Sequence, residues 1–403
     1  MSDIGIKEKT GRDVSIIGSM SIGEFVYYVA YGLYFFSCIL DRTTFDEFLF
    51  IPVPLLSKII SLIILCLLLF KFVLQKASIK GWLLATGLVL VGFISWRNSQ
   101  EGWLFWLALF IVCSEGVQLN ILASISLALS IMILVIAPLF AANGIIDDIT
   151  LNRSGAIRHS LGFSHPNSFG MYMILACISI SILLFGKSPK FQISLLIIAV
   201  ATILMVSGSR TTAILALFQV LLLLVFFHIR SDRYRKAMSI AFTVAVALIV
   251  VLSFYFMVAY DPSRPVDFVI NSLLSGRLRL AHGYYQMKGL SLLGTTYADC
   301  PAIYWENGKP YDFVVDNAYC HLVLRYGIIP SALFLIGLFS LLIKLIRQKR
   351  WDGLLYGITL MAVYGLTENV GVRIECNYFL YAIGAELIFA VPGIKKNTSH
   401  RLK

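Results

Sequence analysis

The sequence predicts an all-α, polytopic integral membrane protein. Three observations carry that reading. Of its 403 residues, 59% are hydrophobic and 14% charged, and the mean hydropathy is +0.84; a soluble domain runs about 45–50% apolar and about 25% charged. Apolar runs of about 20 residues, enough to cross a bilayer as a helix, recur along the chain. Lys and Arg concentrate in alternate connecting segments, as the positive-inside rule requires. Such a composition excludes an ordinary soluble enzyme, and it is too apolar for a disordered chain. The net charge of +11 is therefore read first as a topology signal, not as a sign of nucleic-acid binding.

The first residues are polar, with Lys7, Lys9 and Arg12, and carry no cleavage pattern, so the first apolar run is expected to stay in the membrane. About twelve spans follow, near 18–40, 50–71, 81–97, 102–119, 121–142, 166–186, 190–207, 211–229, 238–259, 318–344, 353–369 and 376–394. The fourth is short and contains Glu115, and Lys58 in the second either snorkels or marks a later start of that span. Trp82, Trp96, Trp103, Trp106 and Trp351 fall near span ends, where interfacial anchors belong. With both termini cytoplasmic, twenty basic residues face inward and twelve outward, which leaves the inside strongly positive and the outside slightly negative.

The cations also differ in kind between the two sides. The outer set is Arg42, Arg97, Arg153, Arg158, Arg210, Arg264, Arg277, Arg279, Lys288, Lys309, Arg325 and Arg373, almost all Arg, whereas most inner ones are Lys. Topology alone does not select arginine. A planar guanidinium fork that meets phosphate oxygens in pairs does. Two outer segments, about 143–165 and 260–317, are long for connections in a compact domain and are expected to be functional. The second holds Tyr284, Tyr285, Tyr297, Tyr304, Trp305 and Tyr311, a set that suits stacking on sugar rings or a small folded loop core. There is no CxxC, and the four cysteines of the first half sit in apolar runs as small hydrophobes; Cys300 and Cys320 are the pair that could bridge outside.

Four groups carry the candidate chemistry. Arg153, Arg158 and His159 precede Leu161-Gly162-Phe163-Ser164-His165-Pro166-Asn167; Pro166 suits a first helical turn, Ser164 or His165 its cap, and the helix N-terminus an anion. Ser207-Gly208-Ser209-Arg210-Thr211-Thr212 is a tight outer turn that holds Arg210 near membrane depth, where an ionisable side chain is costly and by default functional. Asn271 to Lys288 reads as an amphipathic helix on the membrane surface with Ser275-Gly276-Arg277-Leu278; Arg277 and Arg279, two apart, do not share a face. Asp316-Asn317 leads into the tenth span with His321, Arg325, Tyr326 and Gly327, and Asp316 and His321 are the nearest general-base candidates. Several Arg with His and carboxylates on the outer ends of different spans make a site for an anionic, membrane-held substrate.

The order of these four groups, from Arg158 through Tyr326-Gly327, resembles the Wzy-type O-antigen and capsular polysaccharide polymerases, which share a superfamily with the O-antigen ligases. The resemblance covers roughly residues 140–340; residues 1–140 match only as apolar spans. It implies a GT-C-like glycosyltransferase architecture in a bacterial cytoplasmic membrane, with the active site extracytoplasmic. The implied substrate is an undecaprenyl-pyrophosphate-linked oligosaccharide, whose growing glycan moves onto the end sugar of a new repeat unit. No metal, nucleotide sugar or other cofactor is implied, and no nucleic acid; a flippase, a chain-length regulator and membrane lipids are the implied partners. By that analogy Arg210 and Arg277 bind pyrophosphate and His165 or Asp316 is the base; Arg153, Arg158, Asn167, Arg279, Asn317 and His321 are the further substrate-contact candidates in the four groups. The ligase branch carries His-Asn where this chain has Asp316-Asn317, which favours polymerase over ligase. A lipid-linked oligosaccharide flippase or other transporter is the alternative of a different class. It calls for charges on a central pathway, whereas here only Glu24, Lys58, Glu115 and Glu386 lie in or near spans.

Overall fold

The computed structural model describes residues 20–153, 156–306, 309–311 and 313–389; the side chains of Glu47, 152–153, Ala156, 304–306 and 309–311 fall outside that description. Both chain ends, with Lys7, Lys9, Arg12 and the basic residues after 390, lie outside the described residues.

In chain order the helices are α1 (Ile22–Leu40), α2 (Val53–Leu74), α3 (Ile79–Ser99), α4 (Trp103–Val112), α5 (Leu119–Ala142), α6 (Pro166–Leu183), α7 (Pro189–Thr202), α8 (Arg210–His228), α9 (Asp232–Ala259), α10 (Pro265–Leu273), α11 (Arg277–Lys288), α12 (Ala318–His321), α13 (Ile328–Arg347) and α14 (Gly353–Tyr364). α7 continues through a wide π turn, Ile203–Ser207, and α12 through another, Leu322–Tyr326. A last apolar helix spans Tyr378–Ile388. Two antiparallel hairpins complete the chain: β1 (Thr150–Arg153) with β2 (Ala156–His159), and β3 (Tyr304–Glu306) with β4 (Lys309–Tyr311).

Among the described residues nine helices are long and apolar enough to cross a membrane, fewer than the twelve spans expected. The other three apolar runs are present but short: α4, α14 and Tyr378–Ile388. Ten residues of helix cover about 15 Å, half of a hydrocarbon layer about 30 Å thick. Their length is not set by lipid because protein surrounds them. All of α14 except Val363 is buried, and it packs against α6, α8 and α9. The last helix packs against α3, α4 and α13. By contrast α2, α3, α5 and α9 bury few of their side chains and turn leucines and valines such as Leu62, Leu83, Val135 and Val251 outward. With no water to compete for, that apolar surface belongs against lipid tails.

The tenth expected span, 318–344, is broken. α12 and its π turn end at Gly327, whose φ of 94° is open to glycine and hostile to other residues. The chain at 291–295 inserts at the break: Ile328 and Ile329 donate their N–H groups to the Ser291 and Leu292 carbonyls (2.9 and 3.0 Å), and Arg325 C=O accepts from Thr295 N–H at 3.1 Å. Ser95 Oγ reaches the Tyr326 carbonyl at 3.0 Å. These bonds take up the groups that a helix break frees. Interruption also splits the expected surface helix 271–288: α10 and α11 are separate, divided at Ser275 and Gly276, with φ of 56° and 87°.

Ion pairs respect the two ends that the charge count defines. Lys71 pairs with Glu115, and Glu386 with Lys344 and Arg350, all at the lysine-rich end. His159–Asp148, Arg277 with Asp316 and Glu368, and Glu101 with His321 and Arg325 lie at the arginine-rich end. At that end Tyr284, Tyr297, Phe313, Val315 and Cys320 make a small core under the long loop. Tyr284 and Tyr297 thus fill a folded core and are buried, not laid open for sugar. Cys300 and Cys320 are free thiols.

Candidate functional site

The β1–β2 hairpin hands Arg158 to the bundle. Its guanidinium is buried, with Nε donating to the Ser207 carbonyl at 2.6 Å and Nη2 to Asn167 Oδ1 at 2.7 Å. One side chain thus ties the entrance of α6 to the turn before α8. That turn passes through Gly208 at φ 58°, and a Cβ there would sit 3.3 Å from Arg158 Nε. Ser209 Oγ and Thr212 Oγ1 share a hydrogen bond of 2.9 Å, and Gly170 of α6 packs on Thr212. The N-termini of α6 and α8 therefore lie side by side. α8 has no side-chain cap, whereas at α6 Pro166 has no N–H and the Asn167 N–H is taken by His165 Nδ1; both ends present the positive pole of a helix dipole, which favours anions.

His165 is the cap of α6. Its Nδ1 accepts the Asn167 N–H at 3.0 Å, so the neutral ring keeps its proton on Nε2. A ring whose lone pair is already engaged is poorly arranged to take a proton. Arg42, at the end of α1, joins this region: its carbonyl accepts from Ser164 N–H at 2.9 Å, and Thr43 bridges Phe163.

Arg210 opens α8 and is exposed, with no ion pair among the described residues. The next residue, Thr211, donates its hydroxyl to Glu368 Oε1 at 3.4 Å. Glu368 lies in the loop beyond α14 and accepts Arg277 Nη2–H at 3.2 Å, also on Oε1. Arg277 opens α11 and is buried; its Nε pairs with Asp316 Oδ2 at 3.1 Å and its Nη1 reaches the Leu274 carbonyl at 3.3 Å. One guanidinium thus holds two carboxylates. Burial, and then the charge of Asp316, push the Glu368 carboxyl up to about 7, although Arg277, Arg42 and the Thr211 hydroxyl pull the other way.

The structure brings together Arg158, His165, Asn167, the turn before Arg210, Arg277 and Asp316, and it sets other candidates apart. Asn317 is a helix cap: its Oδ1 accepts Tyr319 and Cys320 N–H at 3.0 Å, and its Nδ2 donates to Ser253. His321 is buried in a second network, with Nδ1 facing the Val315 carbonyl (3.2 Å) and Nε2 facing Glu101 (3.1 Å), its ring stacked on Trp103. Arg373 also lies over that indole, at 3.8 Å. Burial alone would raise Glu101, but His321 and Arg325 hold it below the usual carboxylate range. Both side chains are thus engaged within the fold. Arg279 is exposed and turned away from the buried Arg277, as their spacing requires. Arg153 lies in β1, and its side chain is outside the described residues.

Sequence reasoning missed Glu368 and passed over Arg42. The available signal was a carboxylate just past the outer end of an apolar run. Among the described residues no three His, Cys, Asp or Glu side chains gather as metal ligands. What the site offers is a cation and two helix N-termini for an anion, with a carboxyl pair next to them for a proton. No family model matches the chain, and neither a curated protein nor a solved structure matches it.

Proposed function

We propose that this chain is a polysaccharide polymerase that joins oligosaccharide repeat units carried on undecaprenyl pyrophosphate at the outer face of a bacterial cytoplasmic membrane. One observation supports this reading above the others. The sequence groups that resemble the polymerases are scattered over some 170 residues, yet side-chain bonds link them at one end of the bundle. Arg158 bonds to Ser207 and Asn167, Arg277 to Asp316, and Glu368 joins Arg277 to Thr211.

In this reading Arg210 and the N-termini of α6 and α8 take the pyrophosphate. Their attraction for it grows as the anomeric C–O bond breaks and charge develops on the leaving oxygen, and interactions that strengthen in the transition state accelerate the reaction. Arg158 builds the site from below. Arg277 is engaged by two carboxylates and a carbonyl, so a phosphate reaches it only by displacing one of them.

The test is reconstitution of the purified protein with a lipid pyrophosphate-linked repeat unit in EDTA. A ladder of glycan lengths supports metal-independent polymerisation. Intact substrate with folded protein refutes it, and adding a lipid A core acceptor then separates a ligase from a transporter.

A further inference from the structure

We propose that Glu368 is the group that takes the proton from the acceptor hydroxyl, with Asp316 and Arg277 as positioning residues that hold it. The inference rests on the glycosyl-transfer reading above and names the proton acceptor that reading leaves open.

Geometry selects Glu368 from four possibilities. His165 has its Nδ1 lone pair committed to the cap of α6. His321 has both ring nitrogens facing acceptors and lies in the separate Glu101–Arg325 network. Asp316 is a third exposed, and its Oδ2 is held by Arg277 Nε at 3.1 Å. Glu368 differs from all three. Both of its hydrogen bonds, from Arg277 Nη2 and Thr211 Oγ1, fall on Oε1, and Oε2 has no partner among the described residues. Its side chain is 17% exposed, so it is desolvated without being sealed. Thr211, which donates to Oε1, stands next to Arg210 in the first turn of α8, so the carboxyl lies at the helix end that would hold the leaving group. A base must lie within hydrogen-bond reach of the hydroxyl it serves, near the bond being broken.

The step balances without another reactant. The acceptor hydroxyl oxygen attacks the anomeric carbon and forms the new glycosidic C–O bond. The C–O bond to pyrophosphate breaks, and its electron pair leaves on the pyrophosphate oxygen. The hydroxyl proton passes to Glu368 Oε2 and then to water. Asp316 and Arg277 set opposing fields on that carboxyl, and a proton affinity near neutrality suits a base at neutral pH.

The experiment compares wild type, Glu368→Gln, Glu368→Asp and Asp316→Asn in the reconstituted ladder assay over a pH series. It is paired with an infrared titration of protonated carboxyl groups that needs no turnover. Glu368→Gln should lose about 10²–10⁴ in kcat with KM little changed, and lose the acid limb of the pH profile near 7. Glu368→Asp should fold, keep the limb and retain part of the rate. Asp316→Asn should keep the limb and move it to lower pH, because the charge that raises Glu368 is gone. The infrared band titrating near neutrality should vanish only in Glu368→Gln and move in the other two. A wild-type ladder with a fully active Glu368→Gln, or a limb that survives in it, overturns the assignment of Glu368 alone. No wild-type ladder overturns the transfer reading and the assignment with it, and a missing carboxyl titration overturns the assignment whatever the activity.

Discussion

Replacing Arg158 by methionine keeps most of the side-chain bulk and removes its charge and donors. The wild-type guanidinium holds the Ser207 carbonyl at 2.6 Å and Asn167 Oδ1 at 2.7 Å from a side chain of a residue 9% exposed. A hydrogen bond with a charged donor contributes about 1.5–3 kcal/mol, so the two together contribute about 3–6 kcal/mol. The upper part of that range applies at the Ser207 end, because Ser207 is fully buried and water cannot replace the donor. Arg158→Lys keeps the charge and can serve one acceptor, so it should lose about half as much. The assay is thermal unfolding of the detergent-purified variants, run with Asn167→Ala to close a double-mutant cycle. The expected order is wild type, Arg158→Lys, Arg158→Met, with a coupling to Asn167 of about 0.5–3 kcal/mol. If Arg158→Met unfolds at the wild-type temperature yet loses activity, Arg158 is a substrate contact and the scaffold reasoning fails.

Other substitutions separate function from fold. Arg210→Ala should abolish polymerisation and leave unfolding unchanged, since Arg210 is exposed and makes no ion pair among the described residues. Arg210→Lys should also fail if both phosphate oxygens must be gripped at once, and a fully active lysine variant refutes that need. Gly384→Ala should yield no folded protein, because the added Cβ would strike the Ile111 carbonyl of α4; normal expression and unfolding would contradict the packing of the last helix. Gly327→Ala combines a φ of 94° with contacts of 2.5 Å to Gly294 N and 2.8 Å to Leu292 C, and should lower stability by at least about 1–3 kcal/mol in the same unfolding assay.

The sequence exposed the large features because a bilayer writes them plainly. Runs such as 53–74 and 119–142 are apolar on every side, and their helices match the expected spans within a few residues. The same property hid the difference between a helix facing lipid and one buried in protein. α4 and α14 are as apolar as the longer helices, so only packing reveals that they are short interior elements. Arg158, Arg277 and Asp316 were legible because charged side chains beside apolar runs are rare. Glu368 was not, since its distinction comes from Thr211 and Arg277, which are 157 and 91 residues away. Asn317 and His321 looked like chemistry because polar residues at a helix entrance serve caps and sites alike. Only their partners, backbone N–H groups for one and Glu101 for the other, tell which.

The π turns ahead of α8 and α13 each end on a glycine of positive φ, Gly208 at 58° and Gly327 at 94°. An α-helix rotates about 100° per residue, and a π turn stores one residue more than an α turn does. Whatever follows the turn is therefore aimed about 100° away from where an uninterrupted helix would send it. The direction of the Ser207 carbonyl toward Arg158, and of Gly327 toward Leu292, is encoded by residue count and not by side-chain type. Deleting any one residue from 203–207 would leave a smoother helix whose end points the wrong way. Conservative substitutions there should be tolerated, while single-residue insertions and deletions should not.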